Sequence, residues 1–201
     1  AEAARAEYPL ATSYVLYAMM ELAIIGSDIQ EVLGSAIGLN ILCGLEKPDS
    51  GTVQVLGETF DARSTEAASK ADARWGGLRR QQIGVVFQEA NLMPALSLLE
   101  NVRFRAQLAG RDAANSEDWL TRLGIGELAR RYPDQVSGGQ RQRAALAMVF
   151  AMEPALILAD EPTGSLDRHT ADEVIQALFE LQARYGCSLI LATHDAELAA
   201  G

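Results

Sequence analysis

Short apolar runs bounded by polar or turn-forming residues recur along the chain and predict buried β-strands. Four such runs cover residues 22–25, 83–87, 155–159 and 188–192. A fifth segment, residues 52–56, alternates between polar and apolar positions and follows a turn-forming stretch. That pattern indicates one strand of an antiparallel hairpin.

A helix is predicted before the last of these strands. Residues 170–173 match a capping box, and apolar residues then recur at helical spacing from Val174 to Leu181. Gly186 marks the expected end of the helix, because glycine readily adopts the left-handed conformation that closes one.

The stretch between Gln88 and Ser137 predicts two or three short helices, with Gly110 and Gly124 as stops. We therefore expect a helical subdomain at about residues 89–135, inserted between strands of the core. Strands that alternate with helices are typical of a parallel sheet covered on both faces, so the predicted class is α/β.

Composition narrows the function. The 201 residues carry 17 basic and 27 acidic side chains, and the formal charge of −10 argues against a nucleic-acid binder with a broad basic face. The length suits a single domain over residues 1–201. Cys43 and Cys187 lie in apolar stretches, which excludes a disulfide framework and favours a reducing compartment. The apolar stretch 14–25 contains Glu21 and is too short for a membrane span.

Ser137, Gly138, Gly139 and Gln140 stand at the start of a predicted helix. Glycines at that place would present backbone N–H groups and the positive end of the helix dipole, a combination that favours an anion. By itself the pattern is equally typical of an ordinary capped helix after a glycine turn.

Polar side chains also follow three of the predicted strands: Gln88, the pair Asp160 and Glu161, and His194. The carboxyl ends of parallel strands share one edge of a sheet, where open α/β folds bind ligands, so we expect these groups to meet. There Asp160 would hold Mg²⁺ and Glu161 would polarise an attacking water.

Together these motifs resemble those of the nucleotide-binding subunit of ABC transporters. Five motifs carry the resemblance: the Q-loop at Gln88, the signature at residues 137–140, the Walker B strand ending in Asp160 and Glu161, the D-loop at residues 165–167, and the H-loop at His194. The resemblance covers about residues 39–200.

The amino-acid sequence of three short segments indicates one branch of that family. Residues 40–45, 100–102 and 159–164 resemble the lipoprotein-releasing, macrolide-exporting and cell-division ATPases of bacteria. The resemblance implies a P-loop NTPase-like, mostly parallel sheet flanked by helices, with a small antiparallel β part and an inserted helical subdomain.

The resemblance also implies a function. The chain would be an ATP-binding subunit that couples ATP binding and hydrolysis, with Mg²⁺, to export or extraction of a substrate. Its partners would be a second nucleotide-binding subunit, identical or different, and an integral membrane permease, with no nucleic acid. It would lie peripherally on the cytoplasmic face of the inner membrane.

Residue roles follow from the same resemblance. Ser137, Gly138, Gly139 and Gln140 would contact the γ-phosphate of ATP held by the partner. Asp160 and Gln88 would serve Mg²⁺, Glu161 would be the general base, His194 would hold the γ-phosphate, and Asp167 would signal across the dimer. Within residues 89–94, the permease contact would be Asn91, Leu92, Met93 and Pro94.

The resemblance fails at the phosphate-binding loop, whose pattern G-x-x-x-x-G-K-[ST] should precede residue 39. Counting back from Asn40 puts Gly34, Ser35 and Ala36 where Gly-Lys-Ser belongs. Counting forward from Gly26 instead puts Glu31 and Val32 at the Gly-Lys positions. Residues 26–40 contain two acids and no base. Carboxylates beside a triphosphate repel it, by about 4 kcal/mol for two unit charges 4 Å apart at an effective dielectric constant of 20. We therefore expect weak ATP affinity.

Three explanations stay open for this departure. The chain is a degenerate, non-hydrolysing subunit that supplies its signature in trans, a naturally inactive relic, or the product of a frame change or faulty reading over residues 9–38. Residues 1–38 diverge from the family in each case. Relatives continue beyond the equivalent of His194 for one or two more strands, so we expect a truncated C-terminus.

Overall fold

A computed structural model of the chain describes residues 38–46, 51–61 and 68–193. Residues 38–42 are helical. The remaining elements are, in chain order, β1 (Thr52–Val55), β2 (Glu58–Asp61), α1 (Ala68–Gln81), β3 (Ile83–Val86), α2 (Leu98–Leu108), α3 (Ser116–Arg122), 3₁₀ turns at Gly126–Leu128 and Pro133–Gln135, α4 (Gly138–Ala151), β4 (Leu156–Asp160), α5 (Arg168–Tyr185) and β5 (Ser188–Ala192). The predicted strand 22–25 lies outside the described residues.

Strands β1 and β2 form the predicted antiparallel hairpin, with Val55 paired to Glu58. The two residues between them, Leu56 and Gly57, both have positive φ (51° and 82°). Two successive positive φ angles are typical of the tight turn whose twist matches a hairpin. Phe60 on β2 stacks on Trp75 of α1, with ring centroids 3.7 Å apart, and so joins the hairpin to the helix that follows it.

Strands β3, β4 and β5 form a parallel sheet in that order, which confirms the predicted α/β class. Its register pairs Val86 with Ala159 and Asp160 with Ala192. Two of these strands differ from the prediction by one residue: β3 ends at Val86 rather than residue 87, and β4 covers 156–160 rather than 155–159. The carboxyl ends of the three strands therefore stand level with one another.

The segment between β3 and β4 is helical, as predicted. Helices α2 and α3 end near Gly110 and Gly124, which have φ of 73° and 70°, conformations that suit glycine. Helix α4 packs against α2, α3 and β3, and its Phe150 lies in the large buried cluster. None of the described helices combines the length and the apolarity needed to cross a bilayer.

Helix α5 corrects one prediction. It begins at Arg168, and its N-cap is Asp167 rather than Thr170. The Asp167 carboxylate accepts a hydrogen bond from the Thr170 backbone N–H, so the match at 170–173 lies inside the first turn. The predicted end at Gly186 is confirmed, since this residue has φ of 68° and donates its N–H to the Gln182 carbonyl at 2.8 Å.

Candidate functional site

The ends of strands β4 and β5 are joined by hydrogen bonds. The Glu161 backbone N–H, directly after β4, donates to the Ala192 carbonyl of β5 at 2.9 Å. The Thr193 hydroxyl, directly after β5, donates to a carboxylate oxygen of Glu161 at 3.4 Å. Asp160 ends β4 beside them. The structure thus brings these three polar side chains to one edge of the sheet.

Glu161 adopts an uncommon backbone conformation. Its φ is 45°, in the left-handed region that costs a non-glycine residue about 1–3 kcal/mol. Its backbone hydrogen bond to β5 holds this turn in place. Conformations of this kind concentrate at sites where a side chain must be aimed for function.

Gln88 reaches the same region from β3. A Cβ atom at Gly164 would lie 2.9 Å from the Gln88 side-chain nitrogen, so the Gln88 amide packs directly over that glycine. The Ser165 hydroxyl also donates to the Gln88 carbonyl at 3.2 Å. Gln88 is therefore placed against the loop that leaves Asp160 and Glu161. We name Gln88, Asp160, Glu161 and Thr193 the strand-end group.

Asp160 has a raised pKa. Its partial burial disfavours the charged carboxylate first, and the neighbouring charge of Glu161 adds to the effect. A cation beside Asp160 would offset both costs.

The donor set of the strand-end group fits Mg²⁺. This ion prefers oxygen ligands and is usually held by one or two carboxylates together with substrate phosphates and water. The described residues contain no cluster of three His, Cys, Asp or Glu side chains that would form an all-protein metal cage. The Asp160 carboxylate and the Gln88 amide oxygen are oxygen ligands of the kind that such a sparser arrangement uses.

Residues 137–140 form a capping box at the start of α4. The Ser137 hydroxyl accepts from the Gln140 backbone N–H at 3.3 Å, and the Gln140 side chain accepts from the Ser137 N–H at 2.9 Å. Gly139 is buried, and a Cβ atom there would collide with the Thr170 methyl group of α5. At Gly138 a Cβ would lie 3.3 Å from Leu166. The second glycine is thus required by helix packing.

Asp167 lies beside that packing contact. Besides capping the Thr170 backbone N–H at 3.1 Å, its carboxylate accepts from the Thr170 hydroxyl at 2.7 Å. These bonds from Thr170 lower the pKa of Asp167. Because Thr170 also contacts Gly139, the predicted D-loop and signature are neighbours in the fold.

Residues 91–97 form a loop that is hydrogen-bonded to the Asn101 side chain of α2. Met93 is 43% exposed on it, and Phe87, Phe104 and Leu108 nearby are exposed apolar side chains. Met93, these three residues and their neighbours line a cavity of about 260 Å³. The predicted permease contact therefore lies beside an open apolar groove.

Sequence reasoning missed two buried amide side chains near this loop. Gln142 is 2% exposed and Asn101 is 1% exposed, and both bond to the backbone of residues 87–97. A polar residue inside an apolar helical pattern was the available signal. The partner of Gln142 is 55 positions away in the chain, and the partners of Asn101 are 4 to 8 positions away. The hydrophobic pattern of the sequence did not identify them.

Other predicted site residues lie outside the described part of the chain. They are His194 and the three residues at the expected phosphate loop, Gly34, Ser35 and Ala36.

Family comparisons cover most of the chain. The ABC transporter family matches residues 34–164. A second match, to the natural resistance-associated macrophage protein-like family, covers residues 1–57, less than half of the chain.

Three curated relatives are similar over long spans. An uncharacterized ABC transporter ATP-binding protein, YbbA of Escherichia coli K12, is 41% identical over 171 residues, covering 83% of this chain and 72% of YbbA. The lipoprotein-releasing system ATP-binding protein LolD of Shewanella frigidimarina is 36% identical, covering 92% and 75%. The macrolide export ATP-binding/permease protein MacB of Rhodopseudomonas palustris is 39% identical over 98% of this chain, which spans 30% of MacB.

A solved structure is similar in fold. The ATP-binding cassette MJ0796, in a dimeric post-hydrolysis state bound to ADP and Pi, superposes with a TM-score of 0.70 at 31% identity, covering 85% of this chain and 73% of that one. The α/β topology and these matches agree, and the chain belongs to the ATP-binding subunits of ABC transporters, of the type that includes LolD and MacB.

Proposed function

We propose that this chain hydrolyses Mg²⁺-ATP at the strand-end group and uses the reaction to drive export or extraction of a substrate through a membrane partner. The observation that carries the proposal is the convergence of Gln88, Asp160, Glu161 and Thr193 where three parallel strands end. Open α/β sheets bind their ligands at this edge.

Each side chain at the strand ends has a role in the proposed hydrolysis. Asp160 and Gln88 would hold Mg²⁺, and the bound ion would supply charge neutralisation for phosphoryl transfer. Glu161 is the general base that orients and deprotonates the attacking water. His194 follows β5 and contacts the γ-phosphate. Thr193 anchors the Glu161 carboxylate through its hydroxyl.

The signature acts on a second subunit. Ser137, Gly138, Gly139 and Gln140 contact the γ-phosphate of ATP bound to the partner, through the exposed N-cap Ser137 and the positive dipole end of α4. The dimeric state of MJ0796 with ADP and Pi supports this arrangement. Asp167, exposed beside the signature, relays the state of one site to the other.

ATP affinity depends on residues 34–36. Gly34, Ser35 and Ala36 occupy the place of the phosphate loop, where neither the cation nor the Mg²⁺-binding hydroxyl is present. Because phosphoryl transfer relies on positioning and charge neutralisation, their absence weakens both binding and rate. The chain on its own therefore binds Mg²⁺-ATP weakly.

Calorimetry and steady-state hydrolysis on the purified chain test the proposal. Wild type should bind Mg²⁺-ATP more weakly than micromolar, and the double change Ser35→Lys with Ala36→Ser should raise both affinity and turnover. Adding Glu161→Gln to that double variant should abolish turnover while binding is retained. Micromolar affinity with brisk turnover in wild type contradicts the weak-affinity claim. A double variant that gains no binding contradicts the site itself.

The membrane partner docks on residues 89–94. Asn91, Met93 and Pro94 are exposed, and Leu92 is half-buried beside them, so the loop offers apolar contacts next to the open groove. A short amphipathic helix of a permease would bury these side chains. The chain would then lie peripherally on the cytoplasmic face of the membrane.

A further inference from the structure

Two buried amide side chains beside the docking loop have no role in the proposed function. Gln142 lies in the second turn of α4, and Asn101 lies in the first turn of α2. Both are almost completely buried, at 2% and 1% exposure. Each bonds to the backbone of residues 87–97, which we name the Q-segment, and this shared target suggests a shared purpose.

Gln142 holds the beginning of the Q-segment. Its side-chain N–H donates to the Phe87 carbonyl at 2.8 Å. The pairing of β3 with β4 ends one residue earlier, at Val86. The first carbonyl beyond the sheet, that of Phe87, therefore accepts its hydrogen bond from α4. Gln88, the next residue, starts from a point that α4 fixes.

Asn101 holds the end of the Q-segment. Its side-chain oxygen accepts from the Met93 backbone N–H at 2.7 Å. Its side-chain nitrogen donates to the Met93 and Leu96 carbonyls at 3.1 Å and to the Ser97 carbonyl at 3.0 Å. One side chain thus closes the loop that presents the exposed Met93 side chain.

We propose that Gln142 and Asn101 are positioning residues that fasten the two ends of the Q-segment to α4 and α2. Gln88 and the permease-docking loop are then tied to α4, which begins at the signature, and to α2, which packs against α4. The fastening stands on the hydrogen bonds, and only its effect on turnover rests on the proposed function.

The chain offers a matched control for Gln142. Gln182 on α5 is also a buried glutamine, 7% exposed, whose amide donates to a backbone carbonyl, that of Cys187, at 2.7 Å. Cys187 precedes β5, at the end of the sheet opposite the strand-end group. Gln142→Met and Gln182→Met therefore remove bonds of the same kind at two different places.

Hydrogen–deuterium exchange and hydrolysis are measured on wild type and both variants as full chains. Gln142→Met should speed exchange of the amides of residues 88–97 by about tenfold or more, because the freed Phe87 carbonyl lets the segment open locally. It should also lower kcat about tenfold with KM for Mg²⁺-ATP within about twofold. Gln182→Met should change neither quantity, even where it lowers the melting temperature equally.

Equal exchange over residues 88–97 in the two variants overturns the proposal. Should wild type hydrolyse no ATP, the proposed function fails, but the exchange comparison still decides the fastening. A measurement on wild type alone covers the case in which Gln142→Met does not fold. The amide of Met93, an exposed residue, should exchange at least about tenfold more slowly than an unbonded loop amide, because Asn101 accepts from it. Unprotected exchange at Met93 overturns the role of Asn101.

Discussion

At the scale of single residues, the ionised form of Asp160 lowers the stability of the fold. Its pKa is raised by partial burial and by the charge of Glu161, so the ionised carboxylate is less stable in the folded chain than in the unfolded one. A carboxyl whose folded pKa is raised lowers the free energy of unfolding as pH rises from the unfolded pKa through the folded one. The full cost is present at a pH above the folded pKa.

Asp160→Asn should therefore raise the free energy of unfolding at neutral pH without Mg²⁺ or nucleotide. The gain should be small, because solvent still reaches the carboxyl. Chemical denaturation measures it, with the exposed Asp172→Asn as control. A destabilised Asp160→Asn chain would show that burial and the Glu161 charge do not disfavour the ionised Asp160 carboxylate when no metal ion is bound.

The two signature glycines should differ in their tolerance of a methyl group. Gly139→Ala should destabilise the chain by about 1–3 kcal/mol, because the new Cβ collides with Thr170 on a packed helix. Gly138→Ala meets the ends of two flexible side chains, Leu166 at 3.3 Å and Arg141 at 3.8 Å, and should cost less. Equal melting temperatures for the two variants would contradict the packing role of Gly139.

At the scale of elements, helix caps set the boundaries. Helices α2, α4 and α5 each begin after a residue whose side chain accepts from the third residue of the helix: Ser97, Ser137 and Asp167. In α2 the Glu100 carboxylate also accepts from the Ser97 N–H at 2.8 Å and hydroxyl at 2.6 Å. These bonds from Ser97 hold the pKa of Glu100 below its usual value.

The capping box of α2 predicts a pH dependence. A lowered folded pKa means that Glu100 adds stability above its unfolded pKa and loses it as pH falls through the folded pKa. Wild type should therefore be more stable than Glu100→Gln at pH 7, and the difference should vanish in acid. Denaturation curves across that pH range check this, with Glu117→Gln as the control carboxylate in α3. A difference that does not change with pH would refute the charged cap.

Sequence patterns predicted the elements better than their internal contacts. The three sheet strands, the hairpin and the stops at Gly110 and Gly124 follow from local apolar runs and turn residues, which act over a few positions. The start of α5 was predicted wrongly because Asp167 and Thr170 are both good caps three residues apart. Gln142 was missed because its partner, the Phe87 carbonyl, becomes a neighbour only in the folded chain.

At the scale of the whole molecule, a substitution beside the exposed apolar groove should weaken membrane association without weakening catalysis. Met93→Glu places a charge on the proposed permease contact and leaves the four side chains of the strand-end group unchanged, so turnover by the isolated chain should stay within about twofold. Membrane association in cells that produce the cognate permease should fall at least about tenfold, because a charge must be desolvated at the interface. Fractionation of membranes measures this.

Leu45→Glu provides the control for that experiment. Leu45 is also an exposed apolar residue, 56% accessible, but it does not line the groove. Its variant should remain on the membrane like wild type. Release of both variants, or of neither, would remove the support for docking at residues 89–94.

The candidate site could be predicted at this scale because its parts are sequence motifs at strand ends. Parallel strands bring their carboxyl ends together whatever the intervening loops do, so Gln88, Asp160 and Glu161 could be grouped from order and spacing. The contribution of Thr193 to Glu161 depends on side-chain orientation, which spacing does not encode.

A crystal structure of the Glu161→Gln chain with Mg²⁺-ATP tests the central claim most directly. The account predicts a metal ion bound by the Asp160 carboxylate, a water between residue 161 and the γ-phosphate, and the start of α4 from a second copy against that phosphate. A nucleotide seated elsewhere, or a metal that Asp160 does not touch, would contradict it.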